Sequence, residues 1–301
     1  MRNGPLRIFV IMFIGLLRIL PEGASFALGR TLAKMVWAFH GRWRRTGDRN
    51  LEIFYGGTVP REERLKIAKA SAINLAYHVI EFIRMGFLPK DKAMEMVVEI
   101  EGTEHWDAAL AQGKGVIGLA MHYGNWELCG ASLVKAGYTL YAVGKEQRDD
   151  FFTKIAFPWR ARYGIKNIFA GDKVNSAILR ALRENAILGL LADQNGGKNG
   201  TFAPFAGTIA STVAGPAALA LKTGAPMVVT FCQRISPGRH RFVNFPGPSM
   251  EGLPEDKQEA LVELLTRINA IYENVIKRDP TQWLWGHKRW KTRPAGEDPL
   301  Y

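Results

Sequence analysis

The chain opens on an apolar run, LRIFVIMFIGLLRIL from Leu6 to Leu20, interrupted only by Arg7 and Arg18. It is shorter than the roughly 20 residues that cross a bilayer. A short or tilted span, a helix lying in the interface with both arginines snorkelling, a signal peptide and a buried core helix all fit it. Helical spacing continues through SFALGRTLAKMVWAFHGRWRR. The stretch VPREERLKIAKASAINLAYHVIEFIRMG then has Pro60 at its start, Glu62 and Glu63 in its first turn and apolar residues at three- and four-residue intervals, the pattern of an amphipathic helix.

From Val97 the texture changes to short apolar runs separated by amphipathic stretches. Strands are expected at Val97 to Ile100, Gly115 to Met121, Thr139 to Val143, Ala186 to Ala192, Met227 to Gln233 and Phe242 to Phe245, with helices at 126–136, 151–163, 173–184 and 211–223. Such alternation predicts an α/β fold, a mixed central sheet flanked by helices. Glu255 to Arg278 reads as one more amphipathic helix running into DPTQWLWGHKRWKTRP. The implied organisation is a hydrophobic membrane anchor or interfacial helix over 1–24 and a single domain over 25–301. That domain divides into a helical entry 25–93, an α/β core 94–250 and a C-terminal helix with a Trp/basic tail 251–301.

With 301 residues the chain can bury a core without a disulfide or metal staple, and its two cysteines, Cys129 and Cys232, read as buried thiols. The formal charge of +12 implies an anionic partner. Its distribution is uneven: Arg2, Arg7, Arg18, Arg30, Lys34, Arg42, Arg44, Arg45 and Arg49 crowd the first fifty residues, where Glu22 and Asp48 are the only acids. In the tail, Trp283, Trp285 and Trp290 beside Lys288, Arg289 and Lys291 suit either an interfacial aromatic belt or core packing.

Candidate chemistry centres on MHYGNWELCG, residues 121–130. His122 follows an apolar strand, at the carboxyl edge where sites in open α/β sheets gather. Asn125 is a plausible N-cap, and Glu127 falls in the first helical turn, where the macrodipole favours a carboxylate. Across a strand, turn and helix start the two side chains can meet as a base and its carboxylate, or each can serve its own local structure. Arg160 and Arg162 in PWRARYG suit helix-end carbonyls or a phosphate. Asp193 and Gln194 end the buried run LLADQN, the loop GGKNG follows, and Ser211 or Thr212 offers a cap for a small-residue helix. No GxSxG elbow, phosphate loop, HExxH or paired CxxC occurs, and no nucleic-acid module is present.

Taken in order, GKGVIGLAMHYGNWELCG, RARYG, LLADQN, PFAGTIASTVAGPAALA and QWLWGHKRWKTRP resemble the late acyltransferases of lipid A biosynthesis, the lauroyl/myristoyl transferase family. The resemblance covers nearly the whole chain. It implies a membrane-associated O-acyltransferase at the cytoplasmic face of the bacterial inner membrane. Such an enzyme moves a fatty acyl group from acyl carrier protein to a hydroxyl of a phosphorylated glucosamine lipid. It further implies His122 as general base with Glu127 as its carboxylate partner, and Asn125, Arg160, Arg162, Asp193 and Gln194 as substrate-binding residues. No metal or other cofactor is implied, and no nucleic acid. The segment AVGKEQRDDFFTKIAFPWR departs from the family's NP-containing stretch, which leaves another glycolipid, such as a phosphatidylinositol mannoside, open as acceptor. A non-enzymatic basic protein that binds membrane or nucleic acid is the alternative class.

Overall fold

A computed structural model of the chain describes residues 4–144, 150–169 and 174–301. Arg2 and residues 145–149 of the segment between Ala142 and Arg160 lie outside the described residues. Five helices come first: α1 (Gly4–Ile19), α2 (Glu22–Phe39), α3 (Gly41–Phe54), α4 (Arg61–Phe87) and α5 (Lys90–Met94). Pro21 and Pro60 immediately precede α2 and α4, where a fixed φ and a missing N–H cost nothing. Then follow β1 (Val97–Glu101), α6 (Glu104–Leu110), β2 (Val116–Gly124), α7 (Trp126–Lys135), β3 (Leu140–Gly144) and α8 (Asp150–Arg162). The chain continues through β4 (Lys166–Phe169), α9 (Val174–Arg183), β5 (Ile187–Leu191), β6 (Thr201–Phe205), β7 (Thr208–Thr212) and α10 (Gly215–Thr223). It ends with β8 (Met227–Ser236), β9 (Arg239–Pro246) and α11 (Lys257–Arg278).

The main sheet has seven strands in the order β1-β9-β8-β2-β5-β3-β4. Only β8 and β9 pair antiparallel; the other neighbours are parallel. A central parallel strand is covered on both faces, which explains the unbroken apolar runs of β2 and β5. Ile117, Leu119 and Met121 pack with Leu188 against Leu264, Ile268 and Tyr272 of α11. Val116 and Ile187 face the opposite layer with Leu128, Cys129 and Leu133 of α7.

Three expectations change. Residues 208–212 form a strand rather than opening a helix, so Ser211 and Thr212 cap nothing. Ala206 and Gly207, both with positive φ, turn the chain between β6 and β7, and α10 begins only at Gly215. The short strand β4 was not evident in the pattern. Trp283, Trp285 and Trp290 are all buried in the core with Phe205 and Phe54, so the aromatic belt is ruled out.

Among the described residues no helix is long and apolar enough to cross a membrane. Instead α1 packs through Leu17 against Phe26, Ile80 and Ile83. Its other side leaves Ile8, Phe9, Ile11, Met12 and Ile19 exposed, and Met35, Val36 and Phe39 of α2 are exposed too. An apolar surface this extensive is unusual unless something covers it.

Candidate active site

β2 and β5 are parallel neighbours in a register that pairs Ala120 with Leu191. Two residues further along come His122, on β2, and Asp193, just past the end of β5. The register therefore brings side by side two residues far apart in sequence, at the carboxyl edge of the sheet. The Asp193 carboxylate is fully buried and accepts three hydrogen bonds: from the His122 amide at 2.9 Å, from His122 Nδ1 at 2.8 Å and from Trp283 Nε1 at 2.7 Å. Burial alone would raise its pKa, but the His122 charge and these donors outweigh that and hold the carboxyl below its ordinary value. An ionised Asp193 accepts, so His122 Nδ1 carries the hydrogen, and in the neutral imidazole the lone pair is on Nε2. The His122 side chain is 18% exposed.

The backbone after His122 admits only glycine. Gly124 has φ +57°, and a Cβ there would lie 1.9 Å from the Cys232 carbonyl oxygen. The next amide, of Asn125, donates to that same oxygen at 2.9 Å. Asn125 caps α7 by accepting from the Leu128 amide at 3.0 Å, and its Nδ2 donates to Glu81 Oε2 at 2.9 Å. Glu81 on α4 is itself clamped by Arg234 at 3.1 and 2.6 Å. This buried network fixes the turn between the histidine and α7.

Glu127 is placed differently from the sequence expectation. The carboxylate on His122 Nδ1 belongs to Asp193, whereas Glu127 receives a two-pronged contact from Arg160, at 2.8 Å from Nε and 2.5 Å from the second guanidinium nitrogen. Trp126 lies edge-on to the imidazole, with ring centroids 5.1 Å apart, and its other neighbour is His78, stacked at 3.5 Å. His78 Nδ1 is buried without a hydrogen-bond partner, and burial pushes this imidazole down to about 4, so it is neutral.

The residues expected to bind substrate are placed in several different settings. Asn125 is buried with both polar ends engaged by protein. Arg162 spends its fork on the carbonyls of Gly86 at 2.9 Å and Leu88 at 2.7 Å, tying α8 to the end of α4. Asp193 lies beneath the histidine and faces no opening. Gln194, half-buried beside it, has no hydrogen bond among the described residues. The places of Trp126, His78, Glu81 and Trp283 at the site went unread in the sequence, although Trp126 stands in MHYGNWELCG and Trp283 in the QWLWG motif.

Beside this group lies an apolar cavity of about 80 Å³ between the sheet and α7 and α8. Gly118 and Gly189, side by side in the register, keep part of its wall free of side chains, while Leu133, Leu140 and Ile165 contribute bulk. Ala120, Trp126, Glu127 and Arg160 also line it. Ala120 lies two residues before His122 on the same face of β2, so the cavity starts next to the imidazole.

An imidazole backed by a buried carboxylate, beside an apolar cavity, is suited to an enzyme that moves a hydrocarbon-bearing acyl group. The chain belongs to the bacterial lipid A biosynthesis acyltransferase family, whose model matches residues 5–292, and it is an acyltransferase. It is 28% identical to the lipid A biosynthesis palmitoleoyltransferase of Escherichia coli over 285 residues, covering 94% of this chain and 90% of that one. Its identity to the lipid A biosynthesis lauroyltransferase of the same organism is 26% over 287 residues, again with 94% and 90% coverage. A phosphatidylinositol mannoside acyltransferase of Mycobacterium tuberculosis is 30% identical over 136 residues, 44% of this chain and 43% of the relative.

Proposed function

We propose that the protein transfers a fatty acyl group from the thioester of acyl carrier protein to a hydroxyl of a lipid A precursor, with His122 as general base. The observation that carries this reading is the His122–Asp193 contact of 2.8 Å, which leaves Nε2 as the proton acceptor. In the proposed reaction Nε2 takes the acceptor hydroxyl proton as that oxygen attacks the thioester carbonyl carbon. Asp193 supports the imidazolium that forms. The C–S bond then breaks, the thiolate leaves with the proton from His122, and the acyl group remains as an oxygen ester. No acyl-enzyme is required.

In the first turn of α7 the Leu128 amide is taken by Asn125, and those of Trp126 and Glu127 suit the developing oxyanion. Glu127 holds Arg160 at the cavity wall, a second source of positive charge near the thioester. The apolar cavity beside Ala120 and Trp126 suits the acyl chain. The exposed apolar faces of α1 and α2, flanked by Arg18, Arg30 and Lys34, suit a helix pair lying in the interface of the inner membrane at its cytoplasmic face. The net charge of +12 favours encounter with an acidic carrier protein and an anionic glycolipid.

The test is acyl transfer by membranes containing wild type, His122→Ala or Asp193→Asn, with labelled acyl-carrier-protein donor and a tetra-acylated lipid A precursor. Transfer by wild type with a loss of roughly a hundredfold or more in both variants is expected. Full rates in the variants would sink the base mechanism. Transfer to a phosphatidylinositol mannoside in preference to the lipid A precursor would overturn the acceptor.

A further inference from the structure

The two cations that the sequence suggested for an anionic acceptor are both engaged, Arg160 by Glu127 and Arg162 by the carbonyls at the end of α4. Positive charge is also gathered elsewhere. Arg42, Arg45 and Arg49 follow one another on α3 at three- and four-residue intervals, so they share a face of the helix. With Lys288 and Tyr301 they line a pocket of about 560 Å³, in which Lys288 Nζ sits 4.9 Å above the Tyr301 ring.

The acids of α3 neutralise one of these cations, Arg49, and leave Arg42 and Arg45 without a carboxylate. Asp48 accepts from Arg61 at 3.0 Å and from Arg64 at 2.8 Å. Glu52 is held by Arg49 at 2.5 Å, with Arg64 at 3.7 Å. Among the described residues, Arg42, Arg45 and Lys288 have no carboxylate within ion-pair distance. Like charges gathered around one concavity repel, and a bound anion would relieve that cost.

The surroundings narrow the choice of anion. Trp43, next to Arg42 on α3, lines an apolar groove with Phe9, Phe13 and Val36, so the basic pocket borders the lipid-like face. On its other side Lys288 follows His287, whose Nε2 accepts from the Asn195 amide at 3.1 Å, two residues beyond Asp193. Asn50 of α3 donates to the carbonyls of Trp285 and His287, each at 2.6 Å, which ties helix and loop together. A concave site walled by guanidinium forks matches a phosphate group better than the broad face a protein partner needs.

We propose that the Arg42–Arg45–Lys288 pocket binds a phosphate of the acceptor glycolipid's headgroup at the membrane surface. This rests on the acceptor reading given above. The test is flotation of the full chain on phosphatidylcholine vesicles carrying either a phosphorylated glucosamine-disaccharide lipid or its dephosphorylated counterpart, with no acyl donor present. Wild type is expected to bind the phosphorylated vesicles at least about tenfold more tightly. Arg42→Ala/Arg45→Ala/Lys288→Ala is expected to lose that preference while melting like wild type. Arg42→Lys/Arg45→Lys keeps the charge without the fork and is expected to lose several-fold of it.

A preference retained in the triple variant would overturn the proposal. So would an equal loss on phosphatidylglycerol vesicles, which marks general membrane charge, or inorganic phosphate binding as tightly as the lipid. A triple variant that loses only its capture by acyl carrier protein would assign the surface to that protein instead. The two readings fail separately. A phosphate preference that the triple variant abolishes, in a protein that transfers no acyl group, sinks the acyl-transfer reading and supports this one. Transfer to a phosphorylated acceptor with an unchanged KM in the triple variant sinks this one alone.

Discussion

Two carboxylates stand near one imidazole, and their surroundings give them different work. Asp193 follows the end of central strand β5, lies wholly inside the protein and accepts three fixed donors, two of them from His122 itself. Glu127 is five residues from His122 in sequence, yet it opens a helix and is taken by Arg160 at the cavity wall. Proximity along the chain says little about contact once a turn as tight as Gly124 intervenes. The parallel register of two strands decided the pairing, with the carboxylate supplied from 71 residues away.

That contrast can be broken by experiment, starting with the largest effect. His122→Ala should lower kcat by roughly a thousandfold or more, measured as initial transfer rate at saturating donor. Asp193→Asn should cost roughly a hundredfold to ten-thousandfold in kcat, because an amide no longer imposes the tautomer. It should also change the acid limb of stability. The folded Asp193 pKa lies below its ordinary value, so its contribution is present above about pH 3.9 and is lost as pH falls through the folded value. Urea titrations of wild type at falling pH should show that loss, and Asp193→Asn should not.

Glu127→Gln should be milder, roughly ten- to a hundredfold in kcat/KM, and should leave the His122–Asp193 contact intact; a loss as large as that of Asp193→Asn would restore Glu127 as the partner of the base. Trp283→Phe, which removes one donor to Asp193, should lower melting stability by about 1 kcal/mol and activity several-fold. The smallest effect concerns His78, between the two poles. Its pKa is about 4 in the fold against 6.5 when free, so the unfolded chain takes up a proton first and stability falls as pH drops from about 6.5 to 4. His78→Phe keeps the stack on Trp126 and should flatten the melting temperature across that window.

Much of the architecture could be read from hydrophobic patterning. Continuous apolar runs marked β2, β5 and β8 because both faces of those strands are covered, and the N-terminal helices followed from three- and four-residue spacing. The hairpin of β6 and β7 escaped because Thr208 to Thr212 borders a small-residue stretch that resembles a helix start. At the site, His122 and Asp193 were visible as residues at strand ends, but their contact depends on β5 lying beside β2, a property of strand order that no local pattern encodes. Composition was least informative where it looked most similar. The N-terminal helices and the tryptophan-rich tail are both apolar and basic, yet Phe9, Met12 and Phe39 face outward while Trp283, Trp285 and Trp290 are enclosed.

The edge strand β1 bears on how the chain is made. Among the described residues it pairs only with β9, and Asn244 donates to the Glu101 carbonyl across 143 positions. At ribosomal speeds of about 5–20 residues per second, β1 is made roughly 7–30 seconds before its partner strand. Throughout that interval the nascent chain already displays the greasy flank of α1 and α2 with no finished sheet behind it. A surface that shelters this flank during synthesis would therefore act as a folding aid before the enzyme has any substrate to meet.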